Sequence, residues 1–132
     1  MLQWNKDMVV DRMASQKIIM YCEKKYELEE LKNLIKEEIV KILSDIKFEK
    51  DAFHVLGEGK VLMMIFEKWY LRNSSYASLV ILISEYSHVH CADIISTGGK
   101  ENFFSLGAEG HFVNIGVEAL QNLGFKVSTQ KK

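Results

Sequence analysis

The residue pattern predicts an α+β domain in the order β-α-β-β-β-β-α, with one mainly antiparallel sheet and two helices packed on it. Three observations predict it. Residues from Leu28 to Ile46 place apolar side chains at helical spacing. Four strand-like runs follow, joined by connections short enough for hairpins, which implies antiparallel pairing. A last stretch, Ala108 to Leu123, returns to helical spacing and runs into a glycine.

The elements can be justified in order. In residues 1–14, Trp4, Met8, Val9 and Met13 lie near one helical face, so this segment reads as a short amphipathic helix or a loose extension. From Lys17, the residues Ile18, Met20 and Cys22 alternate with Ile19, Tyr21 and Glu23, as on a strand with one face more apolar. Leu28, Leu31, Ile35, Ile39, Ile42 and Ile46 then form a helical stripe, widened by Leu34 and Leu43. Glu27, Glu29 and Glu30 fall in the first turn, where carboxylates complement the helix dipole. Glu37 and Lys41 have the spacing of an i,i+4 ion pair. No Ser, Thr, Asp or Asn caps the start.

A meander follows. A short strand is expected over Lys47–Lys50 or Phe53–Leu56, with Gly57-Glu58-Gly59 as its turn. Val61 to Leu71 is a long strand, and Arg72-Asn73-Ser74-Ser75 turns it into Ala77 to Glu85. Tyr86-Ser87 leads into Val89 to Ser96, Gly98-Gly99 breaks that strand, and Asn102 to Ser105 has the makings of one more. In the last helix Phe112, Ile115, Ala119, Leu120 and Leu123 share a face. Gly110 and Gly116 inside it point to close packing on the sheet, because glycine costs a helix interior about 1 kcal/mol relative to alanine. Gly124 followed by Phe125 has the form of a Schellman stop. The domain is therefore expected over 15–125, with 126–132 as a frayed tail.

Composition bounds the partners. The chain has 132 residues, 48% apolar, enough for one ordinary core. Its net charge is −1, with 11 basic and 12 acidic residues in positions 1–66 and 6 of each in 67–132. Neither half carries the basic footprint of a nucleic-acid binder or a polybasic membrane patch. The longest apolar run, Val61 to Phe66, is six residues, far below the ~20 of a membrane helix. The charged N-terminal segment shows no secretory h-region, so no export is expected. Cys22 and Cys91 are too few for a disulfide framework; buried thiols in a reducing cytosol are the simpler reading, with a single bridge left open. The absence of proline fits turns built from Gly, Asn and Ser.

Few residues suggest chemistry. His88 and His90 are two apart, so on a strand both imidazoles would face one way and could touch one metal. Yet Cys91 and Asp93 would point to the opposite face, and His54 and His111 have no matching spacing, so no metal site is expected. Ser96-Thr97-Gly98-Gly99-Lys100 lacks the spacing and the Ser or Thr after lysine of a phosphate loop, and reads as a tight turn whose amides could hold a small anion. Glu67 and Trp69 face one way at the end of the long strand, Lys68 and Tyr70 the other, as ordinary cross-strand pairs or an aromatic binding patch. Glu109 and His111 could be an acid–base couple, but Glu109 is more simply a dipole partner at a helix start. No nucleophile sits in a recognisable elbow.

Several segments, taken together, carry a resemblance. They are Phe66-Glu67-Lys68-Trp69-Tyr70, Ser78-Leu79-Val80-Ile81-Leu82, Ala92-Asp93-Ile94-Ile95-Ser96-Thr97-Gly98-Gly99, Phe103-Phe104, and Gly107-Ala108-Glu109 with Phe112. Over residues 15–124 the chain resembles a family of small uncharacterised cytosolic proteins of Gram-positive bacteria. The S-x-G-G segment followed by Phe-Phe and a Gly-x-Glu helix start is the most specific part. The resemblance implies a cytoplasmic setting and an architecture, and it lends no catalytic residue. His88 and His90 stand outside the shared pattern.

Two function classes follow. The first is a non-catalytic binding or protein-interaction module, motivated by the lack of a clustered titratable constellation. The second is a small-molecule-binding or enzymatic domain with a pocket between the sheet and the C-terminal helix, using Glu67, Trp69, Ser96, Thr97, Gly98, Gly99 and Glu109. No cofactor is implied. Self-association is expected, because Val61-Leu62-Met63-Met64-Ile65-Phe66 and Leu79-Val80-Ile81-Leu82-Ile83 are apolar on both faces. With helices on one side only, half of those side chains would face water. A two-fold dimer stacking sheet on sheet would cover them; residues 1–14 would cover only part.

Overall fold

The computed structural model describes residues 15–70, 75–98 and 105–128. Strand β1 is Ser15–Cys22, helix α1 is Leu28–Ile42, and strands β2 to β5 are Lys47–Leu56, Gly59–Tyr70, Ser75–Tyr86 and Val89–Gly98. Helix α2 is Ser105–Asn122, and a two-residue strand β6, Lys126–Val127, closes the described chain. The strands form one antiparallel sheet in the order β2-β3-β4-β5-β1-β6. The fold is α+β with the element order read from the sequence, plus β6. The amphipathic reading of 1–14 and the strand expected from Asn102 lie outside the described residues, apart from Ser105, which opens α2.

α1 takes the chain from β1 to the far edge of the sheet, and the meander β2 to β5 brings it back beside β1. α1 buries Leu28, Leu31, Ile35 and Ile39, the centre of the stripe seen in the sequence. It ends at Ile42 rather than Ile46: Ser44 and Asp45 form a turn, and Ile46 is buried after it. Glu27 occupies the N-cap without a side-chain capping bond. Lys41 pairs with Glu38 at 3.2 Å, one residue short of the expected Glu37, and Asn122 donates to the other Glu38 oxygen at 3.1 Å. Those two contacts, Asn122 foremost, hold the Glu38 carboxyl below its usual range and tie α1 to α2.

β2 absorbs both candidate short strands. A bulge between Phe48 and Lys50 leaves Glu49 out of register, which is why neither half alternates cleanly with the other. That bulge and the charges of Lys47, Glu49, Lys50 and Asp51 blunt an otherwise open sheet edge. The α2 terminus is the Schellman motif read from Gly124: Phe125 N–H donates to Leu120 O and Gly124 N–H to Gln121 O, both at 3.0 Å, with Gly124 at φ +101°. The chain does not fray there. Lys126 and Val127 pair with Tyr21 and Met20, and Ser128 N–H reaches Ile19 O, because the turn at Gly124 delivers them alongside β1.

The core lies between the sheet and the two helices. Met20, Cys22, Leu62, Met64, Phe66, Ala77, Leu79, Ile81, Ile83, Ala92 and Ile94 point into it from the strands. Val113, Ile115, Ala119, Leu120 and Leu123 meet them from α2. Gly116 sits so close to the sheet that a Cβ there would lie 2.9 Å from Ile94 Cγ2. The close packing expected of that glycine is real.

Candidate functional site

Strand alternation divides the sheet into two faces. The helix-covered face holds the core. The opposite face is built from Ile19 and Tyr21 on β1, Val61, Met63, Ile65, Glu67 and Trp69 on β3, Tyr76, Ser78, Val80, Leu82 and Ser84 on β4, and Cys91, Asp93, Ile95 and Thr97 on β5. Ladder pairs put Ile65 opposite Val80 and Val80 opposite Ile95, and likewise Met63 opposite Leu82. These aliphatic rows are half-buried by their own neighbours, and among the described residues no secondary-structure element packs on this face. It is a continuous apolar patch three strands wide, with Ile19 beyond Asp93 on β1.

One end of this open face gathers part of the sequence-derived candidate set. Glu67 lies opposite Ser78, and Ser78 opposite Thr97, in one row. Ser78 Oγ donates to Glu67 Oε2 at 3.5 Å. In the next row Trp69 and Tyr76 pack with ring centroids 4.8 Å apart, so the cross-strand aromatic pair is present. Gly98 ends β5 beside Ala77. Ser96 does not join the group: it is fully buried on the helix-covered face. Glu109 lies on α2 with its side chain outside the described part, and Gly99 lies outside the described residues altogether. Glu67, Trp69 and Thr97 therefore share a face, and Ser96 is turned away from them.

The histidine pair departs from expectation more sharply. His88 is not on a strand. Ser87 and His88 are the two central residues of the β4–β5 turn, at φ +53° and +68°, the type I′ signature that usually demands Asn or Gly. His90 is in β5 on the helix-covered face and is 1% exposed. The two are therefore not a same-face strand pair. No group of three or more His, Cys, Asp or Glu able to hold a metal occurs among the described residues.

The thiols are both free. They lie on opposite faces of the sheet, Cys22 toward the helices and Cys91 toward the open face, so they cannot bridge each other. Burial first, then Asp93, pushes the Cys91 thiol above its ordinary pKa, with Lys17 opposing. It is a poor nucleophile at neutral pH.

No helix among the described residues is long and apolar enough to cross a membrane. No curated protein matches the sequence. Among solved structures, two crystal structures of a major latex-like protein from Panax ginseng align at 10% identity and a TM-score of 0.30. The alignment covers 84% of this chain and 98% of that one, a likeness too distant to carry fold or function. A family of unknown function, DUF6054, matches residues 13–124, from β1 through the end of α2, and this chain belongs to that family.

Proposed function

We propose that this chain is a non-catalytic interaction module that works as a homodimer, two copies stacking their sheets through the open faces. The observation that carries this reading is the row of Val61, Met63, Ile65, Val80, Leu82 and Ile95 on the side away from the helices, with no element packed on it among the described residues. An apolar patch of this extent is costly to hydrate and marks an interaction surface. A second copy is the occupant that fits its area. Three strands about 4.8 Å apart, each with about three same-face residues about 6.8 Å apart, span roughly 300 Å² in projection. Side-chain relief, together with Ile19, Tyr21, Trp69 and Tyr76 flanking the patch on the same face, raises that toward the about 800 Å² per partner of a stable interface. A flat sheet face is also self-complementary under a two-fold axis, at the roughly 10 Å spacing of stacked sheets.

The setting that goes with this reading is a reducing bacterial cytosol, supported by two unbridged thiols. Nucleic acid is not among the proposed partners, since the net charge is −1.

The test is sedimentation velocity at tens of micromolar. The full chain should run as a dimer, and Val80→Asp should run as a monomer with an unchanged far-UV spectrum. A wild-type monomer that begins to associate only when residues 1–14 are removed would give the face to that segment and overturn the dimer.

A further inference from the structure

A second feature lies on the other side of the sheet, at the end away from Glu67 and Trp69. The loop after β1, the first turn of α1 and the β4–β5 hairpin enclose a cleft of about 360 Å³. Tyr26, Glu27, Glu30, Glu85, His88 and His90 line it together with Lys25. The walls are fixed in place. Tyr26 Oη donates to Leu123 O at 2.6 Å, pinning the loop to the end of α2. The Tyr26 and His90 rings meet edge to face at 6.3 Å.

Two polar atoms of residues lining this cleft are buried and have no hydrogen-bond partner among the described residues: His90 Nδ1 and Glu85 Oε1. Both are acceptors. His90 Nε2 lies 3.2 Å from Tyr26 O and 3.6 Å from Glu85 Oε1, so it faces two oxygens. The ring proton is assigned to Nε2 on that ground, which leaves a lone pair on Nδ1. A buried unsatisfied acceptor is costly and calls for a donor. The charge of the walls agrees: three carboxylates face one ammonium. The α1 N-terminus would attract an anion, but Glu29 and Glu30 already occupy its first turn. The adjoining turn holds Ser87 and His88 in the left-handed region, a strained arrangement that puts His88 in the cleft wall.

We propose that this cleft binds a small organic cation rich in N–H donors, a primary ammonium or guanidinium group, which donates to Glu85 and His90 while Glu27 and Glu30 supply countercharge. A divalent metal fits less well, because no three potential ligands gather among the described residues. The site lies on the opposite face from the proposed dimer contact and stands or falls separately from it.

The test is amide chemical-shift titration of the full chain with n-butylammonium and ethylguanidinium. Tetramethylammonium, butyrate and zinc are the comparison arms. The donor-bearing cations should saturate shifts at residues 25–30 and 85–90 with a dissociation constant of about a millimolar, a fair value for so few atoms. Tetramethylammonium, equal in charge but without N–H groups, should bind at least about tenfold more weakly. Glu85→Gln should weaken the butylammonium response by about tenfold. Because His90 is buried and its replacement could disturb folding, Glu30→Gln serves as a second, exposed variant with a smaller loss. Preference for butyrate or zinc, equal response to tetramethylammonium, or no saturable shift at these residues would overturn the proposal. Val80→Asp should leave the titration unchanged whatever its effect on self-association.

Discussion

The two faces of this sheet are made by the same strands from nearly the same residue types, and they have different fates. In β3, Leu62, Met64 and Phe66 are at most 2% exposed beneath the helices, while Val61, Met63 and Ile65, one residue along in each case, are only half-buried. The difference lies in what is opposite. Helix stripes with Gly116 at their closest point fill one side to core density, whereas among the described residues the other side is filled by neighbouring strands alone. The comparison teaches that an apolar run on a strand reports burial of both faces without saying whether both burials occur within one chain.

The largest effect comes from breaking the covered face. Ile81→Asp puts an unpaired carboxylate into the centre of the core and should abolish cooperative unfolding. The neighbouring Val80→Asp should retain the fold. Paired urea melts followed by circular dichroism check this, and equal loss of structure in both would erase the distinction between the faces.

A smaller effect tests how tightly that face is packed. Gly116→Ala removes a helix-weakening glycine but drives a methyl against Ile94 and Leu79, at 2.9 and 3.4 Å. Ile94 Cγ2 sits on a stiff β-branched side chain, so overpacking should outweigh the propensity gain, for a net loss of about 1–2 kcal/mol. A gain in urea midpoint would mean the two layers have slack. Next is Gly124→Ala, at φ +101° where no L side chain sits comfortably. It should cost about 1 kcal/mol and loosen β6, read as faster amide exchange at Ser128.

The smallest effect lies at the rim of the covered face. Lys68 and Asp45 meet at 2.7 Å, and that bond holds the Asp45 carboxyl below the ordinary aspartate range. The contribution is therefore present at neutral pH and is lost as pH falls through the depressed folded-state value. Asp45→Asn should lower stability slightly at neutral pH, leave it unchanged in strong acid, and so flatten the acid limb of a stability-versus-pH curve; an unaltered acid limb would show that solvent already screens the pair.

Much of this was legible in the residues. The α1 stripe, the meander and the glycine stop of α2 depend on local periodicity and turn chemistry, which sequence carries directly. The α1 end was read four residues too far, because the buried Ile46 continues the apolar spacing past the Ser44-Asp45 turn. β6 was hidden, because two residues hold no period and their pairing is set by where Gly124 aims the chain. The site was legible only in part. Alternation put Glu67 and Trp69 on one face, and the ladder then brought Thr97 to them, but Ser96 falls on the other face by the same alternation. The Tyr26, Glu85 and His90 cleft joins three elements distant in sequence. The one available signal was the hairpin Tyr86-Ser87-His88-Val89, whose two-residue turn lacks the usual Asn or Gly.

The place of β1 in the sheet has a kinetic consequence. It sits between β5 and β6, with Ile18 opposite Ile94 and Met20 opposite Val127. β1 therefore waits for partners synthesised well after it, while β2 to β5 can zip as successive hairpins. Such long-range closure is slow to nucleate. Until it happens, both edges of an apolar strand stay open to other chains. Conservative substitutions in β1, such as Ile18→Val, should consequently slow folding more than they speed unfolding.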